Sequence, residues 1–129
     1  MQTLAQMKAE IYNALTNDST MEGYIGSRVY WLGKVSGKST FPLIDYKAFD
    51  EIGTYSFGGS GISYDGSEAT FQIDVYTGPD DVATMDNIIE RLKTLMHGLG
   101  YRLINSPIEF VDAEVNKIVR PTRWEKWNV

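Results

Sequence analysis

Residues 69–99 read ATFQIDVYTGPDDVATMDNIIERLKTLMHGL, and two hydrophobic periods follow one another within them. Ala69, Phe71, Ile73 and Val75 alternate with Thr70, Gln72, Asp74 and Tyr76. A period of two puts each set on its own face of a β-strand, here one apolar and one polar. Gly78-Pro79-Asp80-Asp81 breaks the strand. Proline has no N–H to lose in a first helical turn, and aspartates suit the positive end of the helix dipole, so a helix is predicted from here. Met85, Ile88, Ile89, Leu92, Leu95, Met96 and Leu99 then recur at spacings of three and four. That is the single stripe of an amphipathic helix, and Gly98 and Gly100 supply its stop. The stripe must be covered, and the Phe71/Ile73/Val75 face is the receiver. One strand and one helix packed in this way seed an α+β layer.

Upstream, Leu4, Met7, Ile11 and Leu15 form a second helical stripe over residues 3–16. Thr3 followed by Gln6 matches a capping box, and Asn17-Asp18-Ser19-Thr20 reads as the polar turn that ends the helix. Residues 28–32, RVYWL, are aromatic and β-branched and read as a short strand. Residues 41–49, FPLIDYKAF, read as another, with Pro42 at its start or on an edge. Residues 50–67 read as a loop. It carries glycines at 53, 58, 59, 61 and 66 among Tyr55, Phe57, Ile62 and Tyr64. A loop this long in a compact domain has a use: it is an extended hairpin tip, or it orders against a partner.

Downstream, residues 101–104 read as a strand, 108–113 as a short apolar–acidic segment, and 116–127, NKIVRPTRWEKW, as a last strand. Pro121 implies an edge or a bulge there. The expected order is α-β-β-β-α-β-β in one domain spanning residues 1–129. The expected fold is a mainly antiparallel sheet of four to five strands with two helices on one face.

A length of 129 residues is enough for one core. The absence of cysteine excludes disulfides, thiolate metal sites and cysteine nucleophiles. No run approaches a membrane span, and MQTLAQMKAE lacks the basic and apolar regions of a signal peptide, so no membrane is expected as a partner. The net charge of −5 is uneven. Between residues 45 and 90 ten acids face one base, Lys47, whereas Lys117, Arg120, Arg123 and Lys126 sit together near the end with Glu125. This balance is a poor one for wrapping DNA by phosphate neutralisation. GKVSGKST at 33–40 is one residue short of a phosphate-binding loop and precedes a strand, not a helix. His97 alone, at a helix C-terminus, makes no metal site. No nucleophile–base constellation is present, so the chain reads as a non-enzyme without cofactor or metal.

Several segments in order resemble a known family: ALTND at 14–18, IGSRVYW at 25–31, FPLIDY at 41–46, FQIDVYT at 71–77 and LMHGLGYRL at 95–103, followed by a basic–aromatic last strand. Together they resemble the tail-completion proteins of long-tailed bacteriophages, also called tail terminators or head–tail joining proteins. The family's last strand ends on an Arg-Tyr-like pair, where this chain has Arg120-Pro121-Thr122-Arg123-Trp124. The resemblance implies a virion protein, made in the bacterial host cytoplasm and placed at the head–tail junction. It implies a homo-oligomeric, hexameric ring that caps the tail tube, ends its growth, binds the tail-tube protein and the head-completion or neck protein, and lets DNA pass without specific binding.

On that reading Tyr55, Phe57, Gly58, Gly59, Gly61, Ile62 and Tyr64 are candidates for an assembly loop. Lys117, Arg120, Arg123 and Lys126 are candidates for subunit or neck contacts. Asp45, Asp50, Glu51 and Asp65 are candidates to face the lumen, since a bore that DNA traverses should not hold phosphates. The alternative is a small-ligand or glycan-binding module gripping its ligand with the Tyr/Phe/Gly loop. A small hydrolase is a third reading, against which the missing nucleophile and base stand.

Overall fold

A computed structural model describes residues 3–31, 40–50, 53–56, 63–105, 109–113 and 116–128, the side chains of 49, 50, 53–56, 63–68, 105, 127 and 128 excepted. The elements are α1 (Leu4–Asn17), α2 (Ser19–Ile25), β1 (Val29–Trp31), β2 (Leu43–Asp50), β3 (Gly53–Ser56), β4 (Ser63–Thr77), α3 (Val82–Gly98), β5 (Arg102–Asn105), β6 (Phe110–Asp112) and β7 (Lys117–Asn128). The class is α+β, as the two hydrophobic periods imply. The sheet, however, is mixed, and among the described residues it has seven strands, not four to five. Its order is β1-β2-β4-β7-β5, with β3 also on β4 and β6 also on β7. β1 runs parallel to β2. A parallel neighbour needs a crossover rather than a hairpin.

Three local expectations change with the structure. Asn17-Asp18-Ser19-Thr20 is a junction between two helices, since Asp18 ends α1 and its carboxylate accepts from the Met21 N–H at 2.8 Å, capping α2. A short acidic side chain that stops one helix satisfies an orphan donor of the next. Pro79 lies outside α3, in a turn where the Asp81 N–H donates to the Gly78 carbonyl at 3.1 Å; Pro at the second position suits such a turn. Pro121 is in a central strand, opposite Asp74 of β4. On the other edge of β7, β6 pairs as far as Val119 and β5 pairs from Arg123. Pro121 falls in the gap between them, where among the described residues that edge has no ladder for a proline to interrupt.

The caps at both helix ends are as the sequence reads. Thr3 and Gln6 form a reciprocal capping box. After α3, Gly100 takes φ +93° while the Gly100 and Tyr101 N–H groups donate to the His97 and Met96 carbonyls. Only glycine takes that conformation without strain.

All three helices feed one buried cluster: Met7, Ile11 and Leu15 from α1, Met21 and Ile25 from α2, and the α3 stripe from Met85 to Met96. The sheet contributes Ile44, Phe71, Ile73, Val75 and Trp124. Across strands Ile44 stands opposite Val75, and Phe71 opposite Trp124. Paired residues share a face, so these make one continuous apolar face. The opposite face carries a smaller cluster, Leu43, Tyr76 and Val119, with Tyr30 and Phe41 against it.

Candidate functional site

The second face of the sheet is where polar chemistry collects. Asp45 of β2 stands directly opposite Asp74 of β4, and both are buried, at 1% and 5% exposure. Like charges opposite one another on a sheet are destabilising. Lys47, two residues along β2, answers them: its Nζ lies 3.2 Å from Asp74 and 3.8 Å from Asp45. Gln72 donates to Asp74 at 2.9 Å, and Arg123 of β7 donates to Gln72 at 3.3 Å. A polar chain therefore crosses β2, β4 and β7. Tyr76 lies at its end, its hydroxyl hydrogen-bonded to Asp112. Burial pushes the Tyr76 phenol well above its ordinary value, and the negative charge of Asp74, Asp112 and Asp45 adds to this. Among the described residues no group of three His, Asp or Glu side chains is arranged to hold a metal ion.

The basic residues of β7 do not form one patch. Their spacing of three along a strand alternates faces. Arg120 and Lys126 lie on the helix side: Arg120 pairs with Asp86 and Glu109 at 3.4 and 3.2 Å, and Lys126 with Glu10 of α1 at 3.2 Å. Lys126 also lies over the Tyr101 ring, and Tyr101 itself donates to Glu10. Lys117 and Arg123 lie on the other face, Lys117 over the Phe41 ring and Arg123 on Gln72. Each of the four is engaged within its own chain.

Of the expected lumen acids, Asp45 is inside the sheet face rather than on its surface. Asp50 closes β2 and Asp65 lies in β4, both as backbone positions, and Glu51 is outside the described residues. Within the loop expected over 50–67, the described residues 50, 53–56 and 63–67 are strand, and they pair as a hairpin. β3 pairs antiparallel with the first part of β4, and Tyr55 stands opposite Tyr64. Aromatic positions favour a strand once a partner strand is present. Phe57, Gly58, Gly59, Gly61 and Ile62 lie outside the described residues. β7 reaches β4 only as far as Ser67, and β2 only as far as Thr70. Beyond Ser67, β3 and β4 continue as a two-stranded ribbon with no third strand among the described residues.

No protein-family model and no curated protein matches the chain.

A concave site that the sequence reading did not anticipate lies at the β1 edge of the sheet. It is a cleft of about 370 Å³ between α1, β1 and β2. Ala5, Ala9 and Tyr12 form its helical wall, and Trp31 and Tyr46 form its floor. The two rings meet edge to face at 4.9 Å, and Lys8 Nζ stands 4.2 Å over the Trp31 ring. The Tyr46 hydroxyl donates to the Lys8 carbonyl at 3.3 Å, and burial pushes its phenol up to about 12. A signal was present in α1: Ala5, Ala9 and Tyr12 recur at i, i+4 and i+7 beside the core stripe. Small residues there leave room that larger ones would fill.

Proposed function

We propose that this protein is a structural assembly subunit that forms a ring at the head–tail junction of a long-tailed bacteriophage, ends growth of the tail tube and joins it to the neck. The observation that carries an assembly role is the β3–β4 ribbon. Among the described residues no third strand joins this ribbon; a two-stranded ribbon is marginally stable in water, and unpaired strand edges are templates for pairing with another chain. The kind of assembly is read from the ordered segments that resemble tail-completion proteins. In this reading α1 and α3 cover one face of the sheet and the ribbon extends the sheet toward neighbours. Six copies at −5 each carry −30, a charge that disfavours phosphate retention in the bore.

The test is native mass spectrometry and negative-stain electron microscopy of the purified chain, alone and with growing tail tubes. Rings with a central bore, seated on the ends of tubes that stop lengthening, are expected. A monomer that leaves tube growth unchanged overturns the reading. Deleting residues 58–61 should leave the monomer folded by circular dichroism and abolish capping.

A further inference from the structure

We propose that the cleft between α1, β1 and β2 is a binding site for a small aromatic carboxylate. Its volume of about 370 Å³ is that of a small-molecule site, concave and mainly apolar with few polar groups. Ala5 and Ala9 leave room on the helical wall, and Tyr12, Trp31 and Tyr46 supply ring surface. An aromatic guest packs on such rings offset or edge to face, as Trp31 and Tyr46 already pack on each other. The charge of the guest follows from Lys8. This residue is half-buried, lines the cleft and holds its ammonium over the Trp31 ring. Among the described residues no carboxylate pairs with it, and no Asp or Glu lines the cleft. Burial keeps the Tyr46 phenol protonated up to about 12, so the floor adds no negative charge. In a chain of net charge −5 this hollow is locally positive. A half-buried ammonium without a counter-ion gains a charge-assisted hydrogen bond when a carboxylate arrives. A cationic guest is disfavoured twice: Lys8 repels it, and Lys8 already takes the Trp31 face that would hold it. An acid carrying a ring meets the apolar walls and the ammonium with one molecule. The site does not depend on ring formation.

Isothermal titration calorimetry with phenylpropionate, phenylpropanol and phenylpropylamine tests the site, since the three share a ring and a chain and differ in charge. Tryptophan fluorescence locates the binding, with Trp31→Phe as its control. The acid should bind saturably, more tightly than the alcohol, and the amine should not bind. Lys8→Met keeps the aliphatic stem and should weaken the acid about fivefold, the scale of one partly exposed ion pair, while leaving the alcohol unchanged. Ala9→Trp fills the cleft from an exposed helical position and should abolish binding. Ala5→Trp takes its place if Ala9→Trp loses the wild-type circular dichroism. No saturable binding of the acid, equal affinities for acid and alcohol, or an acid affinity unchanged in Lys8→Met overturns the proposal. Sedimentation velocity of the same samples separates it from the ring reading. Rings that bind no acid overturn the site alone, whereas a monomer that binds the acid upholds the site and overturns the ring.

Discussion

Arg91 of α3 grips Asp18 with both arms of its guanidinium, Nε at 2.9 Å from one carboxylate oxygen and Nη2 at 2.5 Å from the other. The same carboxylate caps α2 through Met21. One side chain thus ends α1, starts α2 and fastens both to α3. Bidentate, charge-assisted hydrogen bonds of this kind fix orientation as well as charge.

The grip predicts an acid-sensitive stability. The hydrogen bonds from Arg91 hold the Asp18 carboxyl below its ordinary 3.8, with a further bond from Met21 N–H, against the opposing effect of burial. A group depressed in the folded state contributes its stability above the unfolded value and loses it as pH falls through the folded one. Urea midpoints should therefore drop below about pH 4. Asp18→Asn keeps a good N-cap and should flatten that acid limb. Superimposable pH profiles for the two proteins would show that the pair contributes nothing.

At high pH the phenol of Tyr46 sets the opposite trend. Burial raises it to about 12, so the unfolded chain ionises it first, near 10. Stability is full below pH 10 and falls as pH rises from there toward 12. Ultraviolet titration should show Tyr46 among the late-ionising phenols, with Tyr76 and Tyr101, and Tyr46→Phe should shrink that late component by one phenol. A late component of unchanged size in Tyr46→Phe would assign it wholly to other tyrosines.

Leu92 is fully buried at the centre of the α3 stripe. Leu92→Ala should cost about 2–5 kcal/mol, the transfer loss plus the cavity left behind. Equilibrium denaturation measures it, and a change below about 0.5 kcal/mol, the usual range at the surface, would place the core elsewhere.

Thr122 is a buried relay: it donates to the Ile73 carbonyl at 2.8 Å and accepts from the Trp124 indole at 2.7 Å. Thr122→Val keeps the shape and strands both partners, at roughly 1–3 kcal/mol for each orphan. Thr122→Ser restores the hydroxyl and should lie well above Val in denaturant midpoint. Equal midpoints for the two would remove the relay from the account.

Lys47 stands between two buried carboxylates, itself 32% exposed. Lys47→Met should destabilise by roughly 1–3 kcal/mol, less than the 3–5 of a fully enclosed pair because solvent reaches the ammonium. Asp74→Asn added to it should recover part of the loss by removing one of two facing charges. A double variant no more stable than Lys47→Met would show that repulsion between Asp45 and Asp74 is already screened.

Much of the local structure is written in the order of residues. The alternation from Ala69 to Val75 gives the inner part of β4, and the stripe from Met85 to Leu99 gives α3. Thr3 and Gln6 mark the start of α1, and Gly100 its counterpart at the end of α3. These depend on neighbours within a few positions, where backbone geometry sets the period. The rest depends on partners far away in the chain. Tyr55 and Tyr64 make strands because they face each other across a hairpin, and their glycine-rich surroundings show no period of two. Pro121 sits in a central strand because β5 and β6 leave a gap beside it. Asp45 and Asp74 look like surface acids until their strands pair and bury them around Lys47. The cleft exists only where α1, β1 and β2 meet, so no single segment announces it. Periodicity is a local property of the chain, whereas which edges, charges and hollows face one another is decided by long-range pairing.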